Sequence, residues 1–345
     1  MVVRASQVEV GPWGGDGGVN PWSFMPGGRI VGFRIASGDV IDSIRFMYED
    51  ESHNKHHSNT YGGDGGTLNP PVNFDRDEDI IRVSGTIGKI YSYTVITSLS
   101  FHTNKGRTYG TYGGGAGTSF SLPVTKGKFI GFFGNYGDYL DSIGETQFWD
   151  EFGLLQSPSI DHRLFQSIPS PGPSIDSILF LASHPVPSLK LSISKFLNLN
   201  ASQVEVGPWG GDGGVNPWSF MPGGRIVGFR IASGDVIDSI RFMYEDESHN
   251  KHHSNTYGGD GGTLNPPVNF DRDEDIIRVS GTIGKIYSYT VITSLSFHTN
   301  KGRTYGTYGG GAGTSFSLPV TKGKFIGFFG NYGDYLDSIG VILQP

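Results

Sequence analysis

The sequence predicts an all-β protein made of two tandem copies of one domain, and three observations carry that reading. Glycine supplies 54 of the 345 residues, far above the usual share of about 7% and without a collagen period, which signals many tight turns. Between the turns run short segments of period two, rich in β-branched and aromatic residues: "RIVGFRIAS", "DSIRFMYE", "DIIRVSGTIG", "IYSYTVITSLSFHT", "TSFSLPV" and "KFIGFFG". These read as strands, and no capped amphipathic helix competes with them. Finally, residues Ala5–Gly144 recur without a difference as Ala201–Gly340, units far too long for solenoid repeats.

Composition narrows the function classes. The hydrophobic fraction is 36%, low but sufficient for a core if 23 Phe and 16 Tyr contribute to it. The net charge of −7 is mild. No basic stripe points to nucleic acid and no polybasic patch to a membrane surface. Cysteine is absent, so neither disulfides nor thiolate metal sites enter. The opening "MVVRASQVEVGPWGG" has no apolar run of signal-peptide length, and "SILFLASHPVPSLKL" is broken by Pro, His and Lys. The expectation is a cytoplasmic protein without membrane insertion.

The domain boundaries follow from the repeat: 1–144, 145–200 and 201–345. Only two of the glycines, Gly153 and Gly172, fall in 145–200, where Pro, Ser and Leu are frequent instead. "SPSIDHRLFQSIPSPGPSID" reads as an extended, poorly ordered linker. An equally simple origin is translated non-coding sequence between two tandem genes. Asn200-Ala201-Ser202 is a glycosylation sequon. The first domain loses the repeat after Gly144, where "ETQFW" stands in place of the second domain's "VILQP". Its final strand is therefore missing or replaced, either by Glu145 onward pairing beside the front strand or by Ile175–Pro185, and the first domain should be the less stable one.

A smaller repeat lies inside each copy. Asp39-Val-Ile-Asp42-Ser-Ile44 is followed by the glycine turn Gly62–Gly66, and Thr94-Val-Ile-Thr97-Ser-Leu99 by Gly113–Gly117. Asp138-Tyr-Leu-Asp141-Ser-Ile143 closes the copy, and its glycine partner Gly14–Gly18 stands at the front. The order is circular. Three similar sheets about a pseudo-threefold axis, with the first and last strands paired, satisfy it and hide two edges.

"VGPWGGDGG" at the front, "GGDGGT" in the middle and "GDYLDSIGVILQP" at the end resemble the jacalin-related lectins of plants, in their mannose/glucose-binding branch, over essentially all of each copy. The resemblance implies a β-prism of three four-stranded Greek-key sheets, and a multivalent carbohydrate-binding protein without catalysis or cofactor. A carboxylate accepts hydrogen bonds strongly from sugar hydroxyls. A glycine turn lets the sugar approach backbone N–H groups. By resemblance, Gly18, Asp138, Tyr139 and Asp141 form the principal carbohydrate site, with Gly214, Asp334, Tyr335 and Asp337 as its counterpart. The motif also matches a second carbohydrate site, Gly66 with Asp39, Val40 and Asp42, and Gly262 with Asp235, Val236 and Asp238. The third face carries Thr94 and Thr97, so no sugar is expected there. No cut precedes the front glycine turn, which favours mannose- and glucose-containing glycans as partners over galactose. Members of the family vary in oligomeric state, so a homo-oligomer is compatible with it.

The plainer readings stand beside these. The aspartates can simply brace turns, and the prism can be a structural scaffold with weak or lost sugar binding. Paired carboxylates also serve glycosidases, but that needs one raised pKa from an apolar pocket, and two acids in an exposed loop should both stay ionised. "HNKHH" (His53, His56, His57) reads as a polar hairpin loop, with no metal expected. "DRDED" (Asp75–Asp79) lacks the glycine and closing Glu of a calcium loop and reads as a solvated turn. "GGGAG" lacks the Lys of a phosphate loop. Trp13 and Trp22 read as packing residues.

Overall fold

A computed structural model of the chain describes residues 7–148 and 203–345. The linker beyond Phe148, the Ile175–Pro185 segment and the Asn200 sequon lie outside the described residues. Among the described residues all regular structure is strand. The first copy holds β1 (Val8–Gly14), β2 (Asn20–Phe24), β3 (Arg29–Ser37), β4 (Ile41–Glu49), β5 (Lys55–Gly62), β6 (Thr67–Leu68), β7 (Val72–Asn73), β8 (Ile80–Ile90), β9 (Tyr93–Thr103), β10 (Thr108–Gly113), β11 (Thr118–Lys126), β12 (Lys128–Tyr136) and β13 (Ser142–Phe148). The second repeats them as β14 (Val204–Gly210), β15 (Asn216–Phe220), β16 (Arg225–Ser233), β17 (Ile237–Glu245), β18 (Lys251–Gly258), β19 (Thr263–Leu264), β20 (Val268–Asn269), β21 (Ile276–Ile286), β22 (Tyr289–Thr299), β23 (Thr304–Gly309), β24 (Thr314–Lys322), β25 (Lys324–Tyr332) and β26 (Ser338–Gln344).

Each copy builds three antiparallel sheets. In the first they are β2-β12-β13-β1, then β5-β4-β3 with the outer position divided between β6 and β7, then β10-β9-β8-β11. The chain ends of the repeat meet as the circular order requires: β1 pairs β13, with Val10 opposite Glu145 and Trp13 opposite Ile143. One buried aromatic from each sheet meets in the core. Phe46 stacks on Phe132 at 4.8 Å and Phe101 meets Phe132 edge-on at 6.1 Å. Each is fully buried, and aromatic pairs of this kind add about 0.5–1.5 kcal/mol beyond their burial. Trp13 and Trp22 are packing residues, both buried.

Several elements depart from the sequence reading. The long segment "IYSYTVITSLSFHT" is split by a turn at Tyr91-Ser92, where Tyr91 takes φ 53°. His56 and His57, expected in a hairpin loop, lie on β5, paired to β4 with His57 opposite Met47; β4 needs a partner on that edge, and β5 adds one buried ring, Tyr61, stacked on Trp22 at 4.4 Å. "DRDED" is not simply solvated. Glu78 is fully buried and accepts hydrogen bonds from the Asp75 N–H, the Thr103 and Tyr109 hydroxyls and Arg107 at 2.7–3.1 Å. Burial works against its charge, but these donors outweigh it and hold its pKa below the ordinary glutamate value.

The repeat boundary at Gly144 falls within a strand. β13 runs on to Phe148, with Glu145 opposite Phe132 and Gln147 opposite Phe129 on β12. In the second copy Val341 and Leu343 hold those places on β26. The outer edges of the front strands are also covered, by the other copy. β1 pairs β24 through Glu9–Lys322 and Val10–Val320, and β11 pairs β14 through Lys126–Glu205 and Val124–Val206. Two eight-stranded sheets result. Trp13 donates to the Ser317 carbonyl at 3.0 Å and Trp209 to the Ser121 carbonyl at 3.2 Å. The contacts are reciprocal, as an isologous pairing demands.

Candidate functional site

The three inner-repeat motifs meet at one end of each copy. Their middle residues Ile41, Ile96 and Leu140 are fully buried. Leu140 donates its N–H to the Ile41 carbonyl, and Ile96 donates to Leu140, both at 3.0 Å. The glycine turns interleave with them. Gly63 packs on the backbone of Asp138, Gly15 on Thr94 and Gly114 on Asp39, each too close for a side chain. The loops 39–42 and 138–141 are thereby neighbours on one rigid platform.

Within the 137–141 loop, Gly137 donates to the Tyr139 carbonyl at 3.0 Å and Asp141 donates to the Asn135 carbonyl at 3.1 Å. This tight turn points two acids differently. Asp138 is exposed. Asp141 is only 3% exposed. Its Oδ2 has no hydrogen-bond partner in the protein and faces Gly18 so closely that a Cβ there would collide with it. Burial raises the Asp141 pKa; the Gly137 N–H opposes this and the Asp138 charge adds to it. Neither the N–H of Gly18 nor that of Tyr139 is donated to a described residue. Tyr139 is half-buried beside them. The second copy repeats every feature: Asp337 is 3% exposed with Oδ2 unpartnered, closed on by Gly214, with Asp334 exposed and Tyr335 half-buried.

The 38–42 loop is built the same way. Gly38 donates to the Val40 carbonyl at 3.1 Å. Asp42 is buried with Oδ2 unpartnered, and burial raises its pKa. Gly66, at φ 68°, leaves no room for a side chain against that oxygen, and this φ itself favours glycine. Asp39 is exposed and Val40 is buried, so Val40 offers backbone where Tyr139 also offers a ring. In the second copy Asp238 is likewise buried against Gly262, with Asp235 exposed and Val236 buried.

The third loop is closed. The Thr97 hydroxyl donates to the Ala116 carbonyl at 2.5 Å and meets Thr86 Oγ1 at 2.7 Å. Its one proton is committed inside the protein. The structure thus brings together every residue singled out in the two aspartate loops. One expectation is corrected: the paired acids do not share an exposed loop, because Asp141 and Asp42 are buried with raised pKa values. The buried oxygen of each pair was invisible in the sequence, because no local pattern tells which aspartate turns inward. Of the histidines, His53 lies 2.6 Å from Glu49 and His56 lies 2.7 Å from Asp50. No cluster of described residues could hold a metal ion.

The jacalin-like lectin domain matches residues 10–146 and 206–342. The chain belongs to the jacalin-like lectin family. An agglutinin of Castanea crenata is 32% identical over 97% of this chain and 97% of its own length. A mannose/glucose-specific lectin of Parkia pendula is 33% identical over 98% of this chain, which spans 65% of that protein. Among solved structures, Malaysian banana lectin is 38% identical over 41% of this chain and 97% of its own, at a TM-score of 0.38. An artocarpin–mannopentose complex is 32% identical over 41% and 98%, at a TM-score of 0.39. As family members, the two copies are lectin domains of the β-prism kind.

Proposed function

We propose that the chain is a multivalent, non-catalytic lectin that binds mannose- or glucose-type glycans at two loops in each copy. The observation that carries the reading is the buried, unpartnered carboxylate oxygen of Asp141, set against Gly18, where any side chain would collide with it. A polar atom held dry without a partner costs about 1–3 kcal/mol, and a sugar hydroxyl donating to it recovers that cost. The exposed Asp138 accepts from a neighbouring hydroxyl, the N–H groups of Gly18 and Tyr139 donate to sugar oxygens, and the Tyr139 ring lies against the apolar face. Asp39, Val40, Asp42 and Gly66 act likewise with less apolar cover. The counterparts Asp334, Tyr335, Asp337 and Gly214, and Asp235, Val236, Asp238 and Gly262, complete four sites.

The relatives support the sugar class, since the Parkia pendula protein is named a mannose/glucose-specific lectin. The closed Thr97 hydroxyl supports an empty third face. Shallow polar sites of this kind bind singly with Kd on the order of mM, and linkage raises avidity by about 10²–10⁴ on a branched or surface-bound glycan. The raised pKa of Asp141 removes the argument from exposure against a glycosidase, so the non-catalytic reading rests on membership of a lectin family. Titration with methyl α-mannoside tests the proposal. The intact chain should take up four equivalents, and Asp141→Ala with Asp337→Ala should leave two. Unchanged binding in the double variant refutes the principal site, and release of an aglycone from a reporter glycoside refutes the absence of catalysis.

A further inference from the structure

The two copies are identical until Gly144 and Gly340, and the closing strand is where they differ. In β26 the places are held by Val341, Ile342 and Leu343, all buried. In β13 they are held by Glu145, Thr146 and Gln147, which are just as buried, at 1%, 4% and 0% exposure. Glu145 Oε2 and both amide atoms of Gln147 have no hydrogen-bond partner. The residues opposite them on the neighbouring strands include Val8 and Val10 on β1 and Phe132 on β12, all apolar and fully buried. The charged and titratable groups of β1, β12 and the adjacent β9, namely Glu9, Lys128, Tyr136, Tyr93 and His102, are half-buried or exposed. Among the described residues no charge compensates Glu145.

We propose that the closing strand of the first copy is a pH-operated latch: β13 holds while Glu145 is neutral and loosens when it ionises, whereas β26, with no such group, stays closed. Burial holds the Glu145 carboxyl well above the ordinary carboxylate range, and the polarity of the Gln147 amide offsets this only partly. A group whose folded pKa is raised gives its full stability below the unfolded value, here 4.5. That stability is lost as pH rises through the folded value, because an ionised Glu145 must leave the core to reach water. The strand that leaves carries the candidate site with it. Asp141 precedes β13 directly, and the Ser142 hydroxyl accepts the Asn135 N–H at 3.0 Å. On the reading of the previous section, valency then falls with rising pH in one copy only. The pKa of Asp141 and Asp337 is raised in both copies alike, so acid weakens the two principal sites equally and does not imitate the latch.

Hydrogen exchange on the full chain tests this, because peptides spanning 145–148 and 341–345 differ in sequence although the repeats do not. After correction for intrinsic exchange, protection in β13 should fall at least tenfold between pH 5 and pH 9, while β26 holds constant. Glu145→Gln keeps the shape and removes the ionisation, and should abolish the pH dependence. Equal behaviour of the two strands, or a pH dependence that survives in Glu145→Gln, overturns the proposal. The measurement uses no sugar. Failure to bind methyl α-mannoside at any pH would refute the lectin sites and leave the strand result standing.

Discussion

Grafting the second copy's closing residues into the first, Glu145→Val with Gln147→Leu, should stabilise the first copy by about 4 kcal/mol. The figure follows from the groups removed and added. Glu145 Oε2 and the Gln147 amide are buried without partners, and each such group costs about 1–3 kcal/mol. The replacements bury apolar side chains that their twins Val341 and Leu343 already fit between the same neighbours, at about 0.8 kcal/mol per added buried methylene equivalent. In a domain of this size each kcal/mol moves Tm by about 3 °C, so the shift is about 12 °C. Scanning calorimetry of the full chain at pH 7 reads it directly. The wild-type chain should show a lower transition from the first copy and a higher one from the second, and the graft should merge them. The reverse exchange, Val341→Glu with Leu343→Gln, should pull the second transition down by a similar amount. A lower transition that moves by less than about 3 °C in the graft refutes the reasoning, for it means that the buried polar groups are not what separates the copies.

Two further outcomes are expected. Burial raises the pKa of Asp141 and Asp337 above 3.8, and only the ionised form is a full acceptor. Mannoside affinity should therefore start to fall on acidification at a pH above the ordinary aspartate range and recover on neutralisation, which titration at pH 7, 5 and 4 checks. Glu78→Ala removes the shared acceptor of Arg107, Thr103, Tyr109 and the Asp75 N–H. Such a loss costs about 3–5 kcal/mol; denaturant unfolding should show the same penalty for Glu274→Ala in the second copy.

The fold was legible because its signals are local and periodic. The alternation in "RIVGFRIAS" gives β3, and the thrice-repeated motif gives the three sheets. The pairing of β1 with β13 follows from the circular order alone. What escaped were features decided at a distance. β5 is polar and largely exposed but for Tyr61 and Gly62 at its end, and becomes a strand because β4 offers an edge. Glu78 looks like one acid in a charged turn, and only the fold brings Arg107 and Tyr109 to it. The candidate loops were legible as a spacing, Asp-x-x-Asp with a glycine turn elsewhere. Which acid turns inward was not, since Asp138 and Asp141 differ only in how the Gly137 turn aims them.

The reciprocal pairing of β1 with β24 and β11 with β14 has an evolutionary side. When two like subunits are separate products of one gene, every substitution appears in both, and a flaw in a strand is paid twice. Here the matching halves are covalently one molecule, and each half can vary alone. A carboxyl group entering one core leaves the other untouched, and the intact half still supplies β24 as a neighbour for the flawed half's β1. Joining the halves in one reading frame thus frees a symmetric assembly to become unequal, and Glu145 to Gln147 stand where that freedom has been used.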